Sequence, residues 1–332
     1  MKRNFITAVS ALALTLCADV VSAQEGPERL YSWTRMTWTF EEATAQQSFE
    51  EAQVYSRAPL AGVEADAASN IYVTTPRWLD AAVPSTLSRV IMVDGAPLLE
   101  PFPNRATHDL ATENGIRNAL GVFVDSQQRM WIVDLGWVAG EDIAPEGGQK
   151  LIGIDLATGE EFVRFEITDE LAGRATSFLN DLVVDEATDT IYITDSGNRG
   201  GAPVPAGIIV YDIASNTARR VLHNHPTVQD DPDLWLKVDG REVFDGSRLA
   251  VGINGITMSA DGTRVFWSVT TGDALYSAPT DLSRDPNATD ADIAAQIEGP
   301  LRVGGGSDGI ATGPDGRIWV TNLALNLSLI HI

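Results

Sequence analysis

Three oxygen-bearing side chains, Asn180, Asn254 and Asp308, each open one copy of a recurring motif. The copies read AGVEADAASNIYV from Ala61, LGVFVDSQQRMWIV from Leu120 and NDLVVDEATDTIYIT from Asn180, then NGITMSADGTRVFWSV from Asn254 and DGIATGPDGRIWVT from Asp308. Their starts are separated by 59, 60, 74 and 54 residues. Repeats fanned about an axis bring their first residues together at the hub. Amide and carboxylate oxygens converging there suit a hard cation, which takes about 6–8 oxygen ligands. Asn180, Asn254 and Asp308 are therefore the expected ligands of one divalent cation, calcium or zinc. Asn180, Asn254 and Leu120 are expected to face a bound small molecule. Ala61 supplies no ligand, and Glu64 falls on the strand face opposite Ala61 and Val63. That set holds a single formal charge. Asn and Asp at a strand start also suit turn geometry with no metal present.

The elements that must carry these residues are strands. GITMS and RVFWSV flank Ala260-Asp261-Gly262, and GIATG and RIWVT flank Pro314-Asp315-Gly316. Asp-Gly between apolar runs marks a tight hairpin, because glycine accepts the positive φ such turns need. KLIGIDLATGEEFVRFEI from Lys150 and GIIVYDIASNTARRVL from Gly207 add outer hairpins, which makes four strands per repeat. An all-strand repeat of this period predicts an all-β fold, a β-propeller. TWTF around Trp38 is expected to complete the last blade and close the ring, since open sheet edges invite pairing with other chains. The long interval before Asn254 holds HNHPTVQDDPDLWLKVDGREVFDG, which reads as an inserted loop.

Weaker constellations resolve into structure. His223 and His225 lack a third ligand at useful spacing and read as loop. GGSDG (Gly305–Gly309) fits G-x-S-x-G but precedes a strand, where a nucleophile elbow demands a helix. Asp230, Asp231 and Asp233 form a solvated acidic run. Asp134 and Asp195 read as turn formers, and Trp78, Trp131, Trp267 and Trp319 mostly as core.

Residues 1–23 read as a secretory leader: Lys2 and Arg3, an apolar run from Phe5 to Cys17, then Val21-Ser22-Ala23 at the cleavage point. That run is too short to cross a bilayer. Cys17 is the chain's one cysteine, so disulfide, thiolate and cysteine-zinc chemistry are excluded beyond it. LSLIHI (Leu327–Ile332) matches the translated sequence of a common transposon adapter and reads as an assembly scar, leaving 24–326 as the propeller with an incomplete last blade. The formal charge of −23 argues against nucleic acid and anionic membrane as partners. A secreted or periplasmic protein is expected.

IYVTTPRW with VPSTL (Ile71–Leu87) resembles the first-blade signature of the major royal jelly protein/yellow family. RMWIVDLG, NDLVVD with IYITDSG, GIIVYD, LYSAPT and SDGIATGPDGRIWVTN continue the likeness in order across the chain. The bacterial, dopachrome-tautomerase-related branch is the most similar. The resemblance implies a secreted six-bladed propeller that binds a small organic ligand in its channel, with isomerisation or oxidation as the accompanying chemistry. The hub is also similar to regucalcin/gluconolactonase propellers. That likeness implies Asn180, Asn254 and Asp308 as metal ligands, with Asp308 doubling as the catalytic base of a lactonase. The Glu those enzymes use in the first blade is replaced here by Ala61. A non-catalytic interaction scaffold is the third reading.

Overall fold

The computed structural model describes residues 29–325, apart from 113, 198, 200–204, 239 and 244–245, together with the backbone of 327–331. The leader expected at 1–23 lies outside them. Contacts divide the chain into Met1–Trp33 and Thr34–Ile332. In the first unit the rings of Tyr31 and Trp33 sit 6.1 Å apart. The second unit holds all the sheets.

An aspartate shapes the turn inside each repeated motif. Asp66 accepts the backbone N–H of Ala68 and Asn70, and Asp125 those of Gln127 and Arg129. Asp185, Asp261 and Asp315 accept from Ala187, Thr263 and Arg317. These side chains fold the backbone back on itself, so each motif becomes an antiparallel hairpin.

Each hairpin is extended outward into a sheet whose strands follow sequence order. The first sheet contains Val63–Ala65, Ile71–Thr74, Leu87–Val93 and Ala96–Pro101. The second contains Ala119–Val124, Arg129–Asp134, Lys150–Asp155 and Glu161–Glu166. The third contains Leu179–Asp185, Thr190–Asp195, Gly207–Asp212 and Thr217–Val221. The fourth contains Ile253–Met258, Arg264–Val269, Ala274–Pro279 and Glu298–Arg302. The fifth contains Ile310–Thr312, Ile318–Asn322 and Leu327–His331. The segment read above as a scar is thus paired as the third strand of that last sheet.

Apolar side chains on both faces of these strands explain why the sheets stack. Tyr72 and Leu87 meet Val122, Met130 and Ile132 between the first two sheets. Trp131, Val133 and Leu151 meet Leu182, Ile191 and Tyr211 between the next pair. Tyr192 and Val210 then meet Ile256, Val265 and Trp267, and Leu275 meets Ile310 and Val320. Trp131 and Trp267 are fully buried, as expected of core. The first strands of successive sheets lie side by side down the stack, which places them at the hub. This is a propeller-like, all-β arrangement.

One expectation is overturned. TWTF does not join the last sheet: Trp38 forms an isolated parallel bridge with Leu99, on the outermost strand of the first sheet. Thr39 N–H donates to Leu99 and Leu99 N–H to Thr37, while the Trp38 indole donates to Ser85 at 2.9 Å. Burying that indole on a nearby strand needs no ring closure, and the added segment covers the outer edge of the first sheet. The insertion before Asn254 contains a two-stranded ribbon, Lys237–Val238 against Arg241–Glu242.

Candidate functional site at the hub

The hub residues owe their positions to a repeated β-bulge. In the second, third and fourth sheets two residues of the first strand oppose one of the second: Leu120-Gly121, Asn180-Asp181 and Asn254-Gly255. A bulge frees a backbone N–H and re-aims side chains. In the third sheet a threonine on the second strand takes up the freed groups. Thr194 Oγ1 accepts the Asp181 N–H at 3.0 Å and donates to the Asn254 carbonyl at 2.7 Å, crossing to the next sheet. Thr74 does the same between the Gly62 N–H and the Leu120 carbonyl.

Glycine at the second bulge position permits this close approach. A Cβ on Gly121 would lie 2.5 Å from the Asn180 carbonyl oxygen, and one on Gly255 would lie 2.7 Å from Ile310 N. The third sheet breaks the rule with Asp181. Its carboxylate accepts the Leu182 N–H of its own strand at 2.9 Å and reaches across to the next sheet for the Ile256 N–H at 3.2 Å.

Two of the three expected ligands are joined directly. Asn254 is 6% exposed, and its amide donates to Thr270 Oγ1 at 2.7 Å and to Asp308 Oδ1 at 3.1 Å. The Asn180 amide donates to Ser196 Oγ at 3.2 Å instead. Both asparagines thus spend their N–H groups on the scaffold, and among the described residues their amide oxygens carry no hydrogen bond. Asp308 is held by its backbone N–H on Thr321 and has an exposed side chain. Leu120 is 5% exposed, so what it presents to the hub is its carbonyl. Ala61 is exposed.

Sequence reasoning missed two carboxylates. Burial lifts Asp181 to about 7 against the pull of the Leu182 and Ile256 N–H groups, and the charge of Asp308 adds to the rise. Glu64 does face away from Ala61, yet that face turns it toward Asp181. Burial lifts it to about 7, opposed by the Ala65 N–H and reinforced by Asp181. Asp308 keeps solvent access, yet partial desolvation by the surrounding protein still raises it, with the Asn254 amide opposing. These three acids have no cationic partner among the described residues. Nor do three His, Cys, Asp or Glu side chains there gather as a metal-binding set.

The same end of the sheets carries an aromatic group. Phe178, two residues before Asn180, lies 5.7 Å from Trp78 and 6.1 Å from Trp137 between ring centroids. Arg199 sits 4.4 Å above Trp137, fixed by the carbonyls of Arg174 and Glu141. The indole N–H groups of Trp78 and Trp137 are buried without a hydrogen-bond partner among the described residues. Such donors cost free energy unless something accepts from them. Trp78 is only partly buried, unlike Trp131 and Trp267.

The remaining candidates are structural. His223 accepts from Arg220, and His225 bonds Thr227 within its own loop. Asp230 pairs with Arg248. Asp134 and Asp195 do cap turns, but both are fully buried and ion-paired, with Lys150 at 2.8 Å and Arg220 at 2.9 Å.

The sequence matches known proteins along most of its length. It is 25% identical to major royal jelly protein 3 of Apis mellifera over 312 residues, covering 85% of this chain and 53% of that protein. It is 26% identical to protein yellow of Drosophila subobscura over 294 residues, covering 84% and 50%. The chain spans about half the length of these curated relatives. Among solved structures, Kuenenia stuttgartiensis hydrazine synthase superposes with a TM-score of 0.51 at 14% identity, covering 82% of this chain and 70% of that one. This likeness concerns the fold alone. A regucalcin from Agrobacterium tumefaciens reaches 0.45 at 16% identity over 79% of this chain and 67% of its own, too loose to carry a metal site across. The family model described as Major royal jelly protein matches residues 118–326, and the chain belongs to that family.

Proposed function

We propose that this protein is a secreted, six-bladed propeller that binds a small aromatic amine at the hub mouth. What supports the reading is the presence of two unlike groups of side chains at the same end of the sheets. Trp78, Trp137 and Phe178 offer ring faces and two unsatisfied indole donors. Asp308, Asp181 and Glu64 offer carboxyl groups without cations. An ammonium group suits the acids, an aromatic ring suits the indoles, and a ring hydroxyl or carbonyl suits the free N–H donors. Arg199 over Trp137 already shows a cation held by that ring face.

A metal-dependent lactonase is the second reading. The amide oxygens of Asn180 and Asn254 with the Asp308 carboxylate would be its ligands. They do not complete a calcium shell, which takes about 6–8 oxygens, and Asn254 already donates to Asp308. We therefore derive no catalytic step through a metal.

Tryptophan fluorescence titrated with tryptamine and dopamine tests the proposal. Saturable one-to-one quenching, weakened at least about tenfold in Trp137→Ala, supports it. Stoichiometric calcium or zinc together with lactone hydrolysis, both lost in Asp308→Ala, would instead establish the hydrolase. No binding of either kind would leave the interaction scaffold.

A further inference from the structure

A second site lies away from the hub, where the helix Ala43–Glu51 packs beside the loop that follows the first sheet's second strand. The helix buries Phe49, whose ring stands edge-on to Trp38 at 5.4 Å and lies 5.3 Å from Phe40. Beside these rings is a cavity of about 590 Å³. Phe40, Phe49, Val54 and Pro84 supply its apolar wall, and Ala45 faces it from the helix. Volume and lining match those of small-molecule sites, which run to roughly 300–1,000 Å³ and are mainly apolar with a few polar groups.

Arg105 is the cation at the rim. One Nη2 hydrogen bond to the Thr39 carbonyl fixes it, and its guanidinium lies 5.2 Å from the Phe40 ring centre. Among the described residues it forms no ion pair, and its Nε and Nη1 have no hydrogen-bond partner. The guanidinium is half-buried, and Glu41 acts on it only at a distance. A guanidinium fork with free N–H groups, set at the edge of an apolar chamber, matches a carboxylate attached to a hydrocarbon.

We propose that this cavity binds an apolar monocarboxylate, with its chain against Phe40, Phe49 and Val54 and its carboxylate on Arg105. Glu41 and Glu42, exposed at the rim, oppose the anion and moderate its affinity.

The test is a fluorescence titration of the full chain with 1-anilinonaphthalene-8-sulfonate, an apolar aromatic anion, followed by displacement with decanoate and with decanol. One saturable site is expected, displaced by decanoate at least about tenfold more effectively than by decanol. Arg105→Gln should abolish that preference. Ala45→Trp, on an exposed helix position facing the cavity, should block dye binding with an unchanged circular dichroism spectrum. Glu41→Gln should tighten decanoate binding a few-fold. Dye binding indifferent to Ala45→Trp would overturn the site. Equal displacement by decanol and decanoate would overturn the assigned ligand class.

Discussion

Two sets of acids in this molecule, one inside the sheets and one at the hub, have opposite fates. Asp134 and Asp195 end the second strands of neighbouring sheets, are fully buried, and are completely satisfied. Asp134 accepts three backbone N–H groups and pairs with Lys150. Asp195 accepts the N–H groups of Phe178 and Gly197, the Ser177 hydroxyl and Arg220. Asp181, Glu64 and Asp308, a strand further in, have no cation among the described residues and titrate upward. Paired acids staple the start of one strand to the end of the next. Unpaired acids at the hub have no such partner, so burial favours their protonated form until a cation from outside the sheet stack meets them.

The contrast can be broken first at a staple. Asp195→Ala leaves the Arg220 guanidinium, 11% exposed, without its partner. It should cost about 3–5 kcal/mol in urea unfolding, the usual penalty for stranding a buried charge. A loss below about 1 kcal/mol would show that the staple is dispensable.

His108 gives the next effect. It is buried, with Nε2 on the Phe102 carbonyl, and burial lowers it to about 4. The unfolded chain binds that proton more readily, so stability should fall as pH drops from about 6.5 to about 4. The loss should be on the order of 2 kcal/mol and should be absent in His108→Gln.

The hub acids have the reverse sign. Glu64 and Asp181 bind protons more tightly in the fold than in the unfolded chain, so their contribution is present at low pH and lost as pH rises through about 7. Asp181→Asn should therefore stabilise the protein by about 1–2 kcal/mol at pH 8 and have little effect at pH 4. An Asp195 variant should show no such gain. The smallest effect is expected at the bridging hydroxyls: Thr194→Val should cost about 1 kcal/mol, the net worth of a hydrogen bond between buried groups.

Much of this architecture was legible from the chain alone because the motif repeats. The recurring motif aligned the first residues of the copies, and the structure joins Asn254 to Asp308 as that alignment implies. Asp181 was equally visible. The copies open with AG, LG, ND, NG and DG, so the third alone lacks glycine at the second position. Attention to the first residue of each copy passed over the second, and with it a carboxylate that crosses to the neighbouring sheet. For Glu64 the strand parity was right, but parity does not say that the opposite face meets another sheet. Trp137 and Phe178 sit outside the strands, where periodicity carries no signal. Trp38 went to the first sheet because a single parallel bridge and one buried indole leave no pattern in sequence.

Proton release on ligand binding tests the central claim, that the unpaired hub acids face a cationic ligand. Tryptamine should be titrated calorimetrically at pH 7 in buffers of different ionisation enthalpy. An ammonium group settling beside Glu64 and Asp181 lowers both carboxyls from about 7, so binding should release protons, and less in Asp181→Asn. Binding with no proton exchange, or with the same exchange in Asp181→Asn, would contradict it.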